Sequence, residues 1–519
     1  MSATTSVSSF IINGVTYYTP ENVNEVLALV NQAALDQKVI AVRGSAHSFP
    51  LVKTNENYGK YLYIILAKMN KIIAFDKING IIQVEAGIHL GLDPKDPLEI
   101  STLENSLNYQ IDPFDLKTGK RNQPPGWALP DLGGITHQTV GGFTATGSAG
   151  GNTSRSFENA LISVDMVQYD GTSAKVVTYN RPKNGDPDDP FFGVAFANLG
   201  LMGLMVSATF QLIPAFNVSG NEATTQISDC AVDIFGDGSP GRPSMQDFLM
   251  KKDLYTRIMY WPQSNIEKLV IWSATPADAS DWQTYTSKPY HEVPYIAGSP
   301  TLAEMAAGFV FRAIGNWPRW IEEAFGLSTD TYEAILAIAK KLDPIFLKLV
   351  LGVFAKTGDA PQEFHDVWWN GIPMDNSMSD SLFPVEFTEL WIPIDKSKEV
   401  MNTLRTMTMD PEVAGNFSIE IYGSGSNEFW LSPGYGTDVI RVDVFWFAAN
   451  EIGNIIDFYT PYWKELQQYN YRCHWAKYMP SLDIHPIDNY PKMDNWKALR
   501  QSVDPNDIFL SEYWKTYGF

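Results

Sequence analysis

Residues 39–51 read VIAVRGSAHSFPL, and the reading of this stretch decides the fold. Val39, Ile40, Ala41 and Val42 form a short β-prone run. Arg43, Gly44, Ser45 and Ala46 then turn the chain before His47 and Ser48. The protein holds only seven histidines. One of them on a tight loop after a strand is either a turn-capping or packed side chain, or a group placed for chemistry, and the surrounding sequence must distinguish the two.

Upstream, PENVNEVLALVNQAALDQK has apolar residues at helical spacing after Pro20, so a helix precedes the strand. Downstream, YLYIILAKMNKIIAFDKINGIIQVEAGIHL reads as short strands around an Asn79-Gly80 turn. Residues 91–130, rich in Asp, Pro and Asn, form an excursion: an ordered loop over a site, or plain surface. NALISVDMVQYDGTSAKVVTY and NLGLMGLMVSATFQLIPA close a first domain near Ala215. Residues 216–300 are mixed and polar. Residues 301–357 are helical, and DPIFLKLVLGVFAKTG is apolar around most of its circumference, which predicts a helix buried within its own domain in preference to the alternative of an interfacial or lid helix. From Phe383 onward PVEFTELWIPI, NFSIEIYGSGSNEFWLSP and VIRVDVFWFA predict an antiparallel sheet with aromatic faces. The expected organisation is a first domain over 1–215, a second over 216–469 with a helical insertion near 301–357, and a return of 470–519 to the first.

At 519 residues the chain exceeds one core. Its net charge of −21 argues against nucleic acid and against an anionic membrane surface as partners. The two cysteines, Cys230 and Cys473, make neither a disulfide framework nor a thiolate metal site. There is no basic, apolar leader and no 18-residue apolar run, so no transmembrane segment is expected and the expected location is cytoplasmic. GxGxxG after a strand, GxxxxGK[ST], HExxH and the nucleophile elbow are all missing, which removes support for doubly wound dinucleotide binding, P-loop chemistry, zinc proteolysis and α/β-hydrolase chemistry.

Two further segments carry chemistry. GGITHQTVGGFTATGSAGGNTS, residues 133–154, is nearly free of large side chains, so its backbone can approach a ligand closely and offer amide and hydroxyl donors, as a pyrophosphate requires. Ile135, Val140 and Phe143 at packing intervals argue against a flexible linker. YRCHWAKYMP, residues 471–480, sets Lys477 among aromatics. It is either a snorkelling surface lysine or a partly buried one able to serve as donor, base or fixed charge.

In this order RGSAHS, ITHQTVGGFTATGS and HWAK resemble the vanillyl-alcohol-oxidase (PCMH) type of FAD-dependent oxidoreductase, and within it the aldonolactone and alditol oxidase group. The resemblance implies an α+β protein with a two-lobed FAD-binding domain and a substrate cap, built of an antiparallel sheet with flanking helices. It implies FAD covalently linked at its 8α-methyl to His47. Cofactor contacts are then expected from Arg43, Gly44, Ser45, Ala46, Ser48, Thr136, Gly141, Gly142, Thr146, Gly147, Ser148, Gly151, Asn152, Ile162, Val164 and Lys477. IEIYGSGSNEFWLSPGYGTD resembles the family's active-site hairpin, with Glu420 on the catalytic glutamate, so Lys477, Glu420 and Tyr422 are the expected catalytic group; the alternative for Glu420 is an ion pair with a lysine or arginine on an adjacent strand.

The sequence departs from the family pattern in three places. Tyr422 stands where sugar-oxidising members carry arginine, Ala149 where many carry histidine, and RVDVFW puts Asp443 and Phe445 on a strand that is more polar in alditol oxidases. Arginine offers a fork of donors, whereas tyrosine offers one hydroxyl and an apolar face. A substrate less polar or bulkier than a simple alditol is therefore expected. The 301–357 insertion either roofs a larger cavity, stabilises a dimer or extends the cap.

The implied reaction oxidises CH-OH to a carbonyl by hydride transfer to flavin N5, with O2 taking the electrons to give H2O2. Three alternatives stay open: a flavin dehydrogenase of a sugar lactone or polyol using another acceptor, a sterol-oxidase-like enzyme, and a degenerate flavin-binding protein. The expected partners are a small alcohol and O2, with a homo-oligomer possible. No metal is expected, because His89, His291, His365 and His485 show no ligand-like clustering, and His137 and His474 read as packed or orienting groups.

Overall fold

The computed structural model describes residues 7–48, 58–292, 300–376, 384–484 and 487–519; His485 lies outside them. Helix α1 (Val23–Leu35) buries Val26, Leu29, Val30 and Ala33, the i, i+3, i+4, i+7 stripe read from the sequence. Asn22 caps it, its side-chain oxygen accepting from the Glu25 N–H at 3.1 Å. Strands β1 (Ser9–Ile12), β2 (Val15–Tyr18), β3 (Val39–Arg43) and β4 (Tyr61–Ile65) form a sheet in the order β1-β2-β4-β3. Both β2 and β3 run parallel to β4, and α1 supplies the crossover such pairing needs. The Ile40 N–H donates to the Ile508 carbonyl, so the carboxy-terminal segment seats beside β3.

A second sheet, fully antiparallel, takes β5 (Ile72–Asp76), β6 (Ile81–Glu85), β8 (Leu161–Tyr169), β9 (Ala174–Asn180) and β10 (Leu204–Gln211) in the order β5-β6-β10-β8-β9. The β5–β6 turn ends on Gly80 at φ +68, where an added Cβ would stand 2.4 Å from the Trp127 ring. The 91–130 excursion is an ordered bridge. It holds α2 (Leu107–Ile111) and β7 (Trp127–Ala128), which pairs with β11 (Ile213–Pro214). Its Asp112 forms a buried ion pair with Arg121 and accepts from Trp368 Nε1, while Trp369 Nε1 donates to the Asp112 carbonyl.

The remaining strands form one eight-stranded antiparallel sheet: β12 (Asn217–Gln226), β13 (Tyr255–Trp261), β14 (Lys268–Ala277), β15 (Gln362–Val367), β16 (Val385–Pro393), β17 (Ile419–Ser424), β18 (Val439–Phe447) and β19 (Arg472–Cys473), in the order β15-β12-β14-β13-β17-β18-β16-β19. Side chains alternate along each strand. One face carries buried Ile421, Val442 and Leu390; on that side Trp463 donates to Thr388. The other face carries the ionisable residues described below.

The 301–357 expectation is half corrected. Two long helices do form, with α3 (Val140–Thr146) preceding them in the chain: α4 (Pro300–Phe325) and α5 (Thr329–Phe354). However, α5 buries only Ala339, Leu347 and Leu351, while Ile345, Leu349 and Val353 are 56%, 67% and 58% exposed. The helix is not enclosed by its domain, because among the described residues the hairpin has partners on one side. That inner side joins Phe311, Leu347 and Leu351 to Trp261, Phe417 and Phe445 of the sheet region in a second core. Lys268 pins it: its buried ammonium donates to the Leu351 and Ala355 carbonyls at 2.7 Å each, where a cation also suits the helix C-terminus. Lys268→Met is expected to cost about 1–3 kcal/mol, read as a lower urea midpoint.

Candidate active site

A cavity of about 340 Å³ opens between the two N-terminal sheets and the segment around Trp475. The RGSAHS loop forms one wall. Ser45 Oγ donates to the His137 carbonyl at 2.6 Å, and the His47 and His137 rings lie 5.6 Å apart. Ala46 is held at φ +60, the left-handed region, so the residue before His47 is strained and its neighbour's direction is fixed. At Gly44 an added Cβ would stand 3.1 Å from Thr139 Oγ1; that hydroxyl caps α3 by accepting from Gly142 N–H. The two glycine-bearing loops thus meet through the Ser45 and Thr139 hydroxyls.

Arg43 Nε and Gln138 Oε1 are buried in residues that line this cavity and lack a partner among the described residues. The wall therefore offers a donor and an acceptor to a ligand, beside glycine backbone and without a lysine cluster. That donor set fits FAD. Arg43, Gly44, Ser45, Ala46, His47, Ser48, Gly141, Gly142, Thr146, Ser148 and Lys477 all line the cavity.

The other residues expected to contact the cofactor lie off the lining. Thr136 bonds Asn376, Gly147 ends α3 at φ +72, Gly151 accepts from the Thr256 N–H, and Asn152 accepts from the Ser154 and Arg155 N–H groups. Ile162 and Val164 sit within β8. Conversely, Asn198, Leu199, Gly200 and Leu201 line the cavity and were not singled out; their signal is the NLGLMG turn, with Leu199 and Gly200 at φ +61 and +71.

Glu420, Tyr422, Asp443 and Phe445 lie on one face of the eight-stranded sheet. Register places Glu420 opposite Asp443 and Asp443 opposite Glu389, while Tyr422 faces Arg441 and Arg441 faces Trp391. Directly opposed residues share a face, so these six side chains form a buried polar patch. Burial, then the charge of Asp375, raises the Glu420 carboxyl to about 8, against the pull of Arg257 and a hydrogen bond from Tyr422. Burial, with Glu389 and Glu420, raises Asp443 well above the usual carboxylate range. Glu389 goes the other way: Arg441, His474 and Lys477 overcome its burial and lower it.

Two arginines missed in the sequence organise this patch. Arg257, on β13, pairs with Asp375, approaches Glu222 at 3.4 Å and sets its Nε 3.7 Å from Glu420 Oε1. Arg441 is held between the Tyr422 and Trp391 rings at 4.7 and 4.8 Å, bonds Glu389 at 2.8 Å, and donates to the Ala149 and Gly150 carbonyls. The site that has tyrosine at 422 is therefore still rich in guanidinium charge. The available signal was a lone arginine inside each of the apolar strands YTRIMYW and VIRVDVFWF, since such residues are almost never buried unpaired.

Lys477 borders both regions. Its ammonium lies 4.0 Å from the Phe387 ring centroid, and Phe387 packs on Phe445 at 5.0 Å. His474 Nδ1 accepts from the Ala476 N–H at 3.1 Å, and burial pushes its pKa down to about 4. It is a neutral imidazole with its proton on Nε2. Among the described residues no group of His, Cys, Asp and Glu is arranged to hold a metal ion, and no helix is long and apolar enough to cross a membrane.

Comparison with known proteins agrees with this geometry. Residues 315–517 match the family model for D-arabinono-1,4-lactone oxidase and residues 16–92 that for an FAD binding domain. The chain is 20% identical to L-gulonolactone oxidase of Mus musculus over 96% of its own length and 93% of the relative's. It is 21% identical to alditol oxidase of Streptomyces sp. over 75% of each. Its fold is that of cholesterol oxidase from Brevibacterium sterolicum, with TM-score 0.67, 14% identity and coverage of 99% of this chain and 95% of that one.

Proposed function

Because the chain belongs to the aldonolactone/alditol oxidase group of FAD-binding, PCMH-type oxidoreductases, we propose that its CH-OH substrate is less polar or bulkier than a simple alditol, that FAD is bonded to His47, and that oxygen is the acceptor. The observation that supports this reading is one sheet face on which Glu420, raised to about 8, lies in register with Asp443 and is followed by Phe445 and its neighbour Phe387, over whose ring the Lys477 ammonium sits. Polar chemistry sits at one end and aromatic surface at the other.

Bound FAD supplies the two-electron acceptor for the carbinol hydride. Glu420 accepts the hydroxyl proton, and Arg257 stabilises the carboxylate before transfer. Lys477 holds a positive charge toward the oxygen as negative charge develops. Burial holds the Asp443 carboxyl well above the usual carboxylate range, which disfavours a second negative charge beside Glu420. Tyr422 keeps Glu420 and Arg441 in place through its hydroxyl and ring. The hairpin α4–α5 extends the apolar end through Phe311, Phe417 and Phe445.

Acid precipitation of the purified protein tests the bond to flavin: a yellow, fluorescent pellet is expected, and His47→Ala is expected to release its flavin to the supernatant. A colourless wild-type pellet would contradict the covalent link. Anaerobic titration with polyols, lactones, aromatic alcohols and sterols then tests the substrate. Bleaching by apolar alcohols at lower concentration than by polyols is expected, and the reverse order overturns the substrate reading. Readmitted air should regenerate the colour with peroxide formed.

A further inference from the structure

The exposed side of α5 is not random surface. Ile338, Leu342, Ile345, Phe346, Leu349 and Val353 are all exposed, and at 3.6 residues per turn they fall within an arc of about 100°. They make one continuous apolar stripe on a 26-residue helix. Lys341 and Lys348 lie along one edge of the stripe, both exposed. The only acidic side chain of this half of the helix, Asp343, turns to accept from Trp317 Nε1 at 2.9 Å and is raised by burial to about 6. Two other lysines are already engaged, Lys340 with Glu412 and Lys356 with Asp359.

We propose that this outer face of α5 docks flat on an anionic lipid bilayer, with the stripe in the acyl boundary and Lys341 and Lys348 at the headgroups. The net charge of −21 argues against such a partner only for the molecule as a whole. Screening over about 8 Å at physiological salt leaves the local lysines to decide the interaction. A basic-edged apolar stripe is complementary to that surface, and an exposed apolar patch of this kind marks an interaction site. The inner face, with Ala339, Leu347 and Leu351, stays packed on the second core, so the helix docks without unfolding.

Flotation of the FAD-loaded protein with vesicles tests this, using phosphatidylcholine alone and phosphatidylcholine with about one-third phosphatidylglycerol. The bound fraction is expected to rise about tenfold with the anionic lipid. Lys341→Glu with Lys348→Glu should remove that preference, and Phe346→Glu with Leu349→Glu should abolish flotation on both vesicles. All variants should keep their flavin absorbance and oxidise a dissolved alcohol at the wild-type rate, since none of these residues lines the cavity. Failure of the wild type to float overturns the proposal, as does undiminished flotation of the Phe346/Leu349 variant. Sedimentation of the wild type as a dimer that this variant dissociates also overturns it, by assigning the stripe to a second copy of the chain.

Discussion

Glu420→Gln is expected to lower the rate of flavin reduction by about 10²–10⁴-fold, while the flavin stays bound and its absorbance unchanged. Burial, reinforced by Asp375, holds the Glu420 carboxyl near 8. Below that pH it is protonated and cannot accept the substrate proton; above it the carboxylate is present. Wild-type kcat/KM should therefore climb with pH through about 8. The glutamine variant has no group to titrate there, so its residual rate should be flat over the same interval. Stopped-flow reduction at several pH values reads both effects. A variant that keeps the rate and the rising limb would remove Glu420 from the chemistry.

Arg257→Met is expected to destabilise the protein by about 3–5 kcal/mol, the usual cost of removing one partner from a buried ionic cluster. The guanidinium faces Asp375, Glu222 and Glu420 at once, and Tyr290 donates to Glu222 at 2.6 Å. Without it the carboxylates confront one another in a dry sheet. Protonation relieves that conflict, so the loss should be larger at pH 8 than at pH 6, as read from urea midpoints. The activity limb should also move to higher pH, because Arg257 is the cation that lowers the Glu420 carboxyl. Equal destabilisation at both pH values would mean that packing, and not charge, is what Arg257 contributes.

The flavin side was legible from local sequence because its chemistry is local. RGSAHS needs a small residue where Gly44 meets Thr139, and a left-handed step at Ala46 before His47. The 133–154 segment needs glycine where backbone passes backbone. Such demands leave marks in a few adjacent letters. The α1 stripe was equally plain, because helical periodicity is written within a dozen residues.

The substrate side was harder to read. Replacement of arginine by Tyr422 looked like loss of positive charge, yet Arg441 on the next strand stacks on that tyrosine and Arg257 approaches Glu420 from the other side. Opposition across β13, β17 and β18 joins residues up to about 180 positions apart, and no local pattern encodes it. The α5 helix misled in the same way: apolar residues all round predict enclosure, but whether a partner covers each side is a property of the layer it sits in.

By itself the sequence made legible the cofactor class, the two glycine-bearing loops proposed to hold it, and the carboxylate and lysine proposed for the substrate side, because each is specified by residue type at close spacing. Only the tertiary structure decided which charges share the buried sheet face, that Glu420 is poised near 8 and that α5 turns an apolar stripe outward. Burial, strand register and layer order set the local dielectric and the neighbours of every group, and these arise only when distant segments come together.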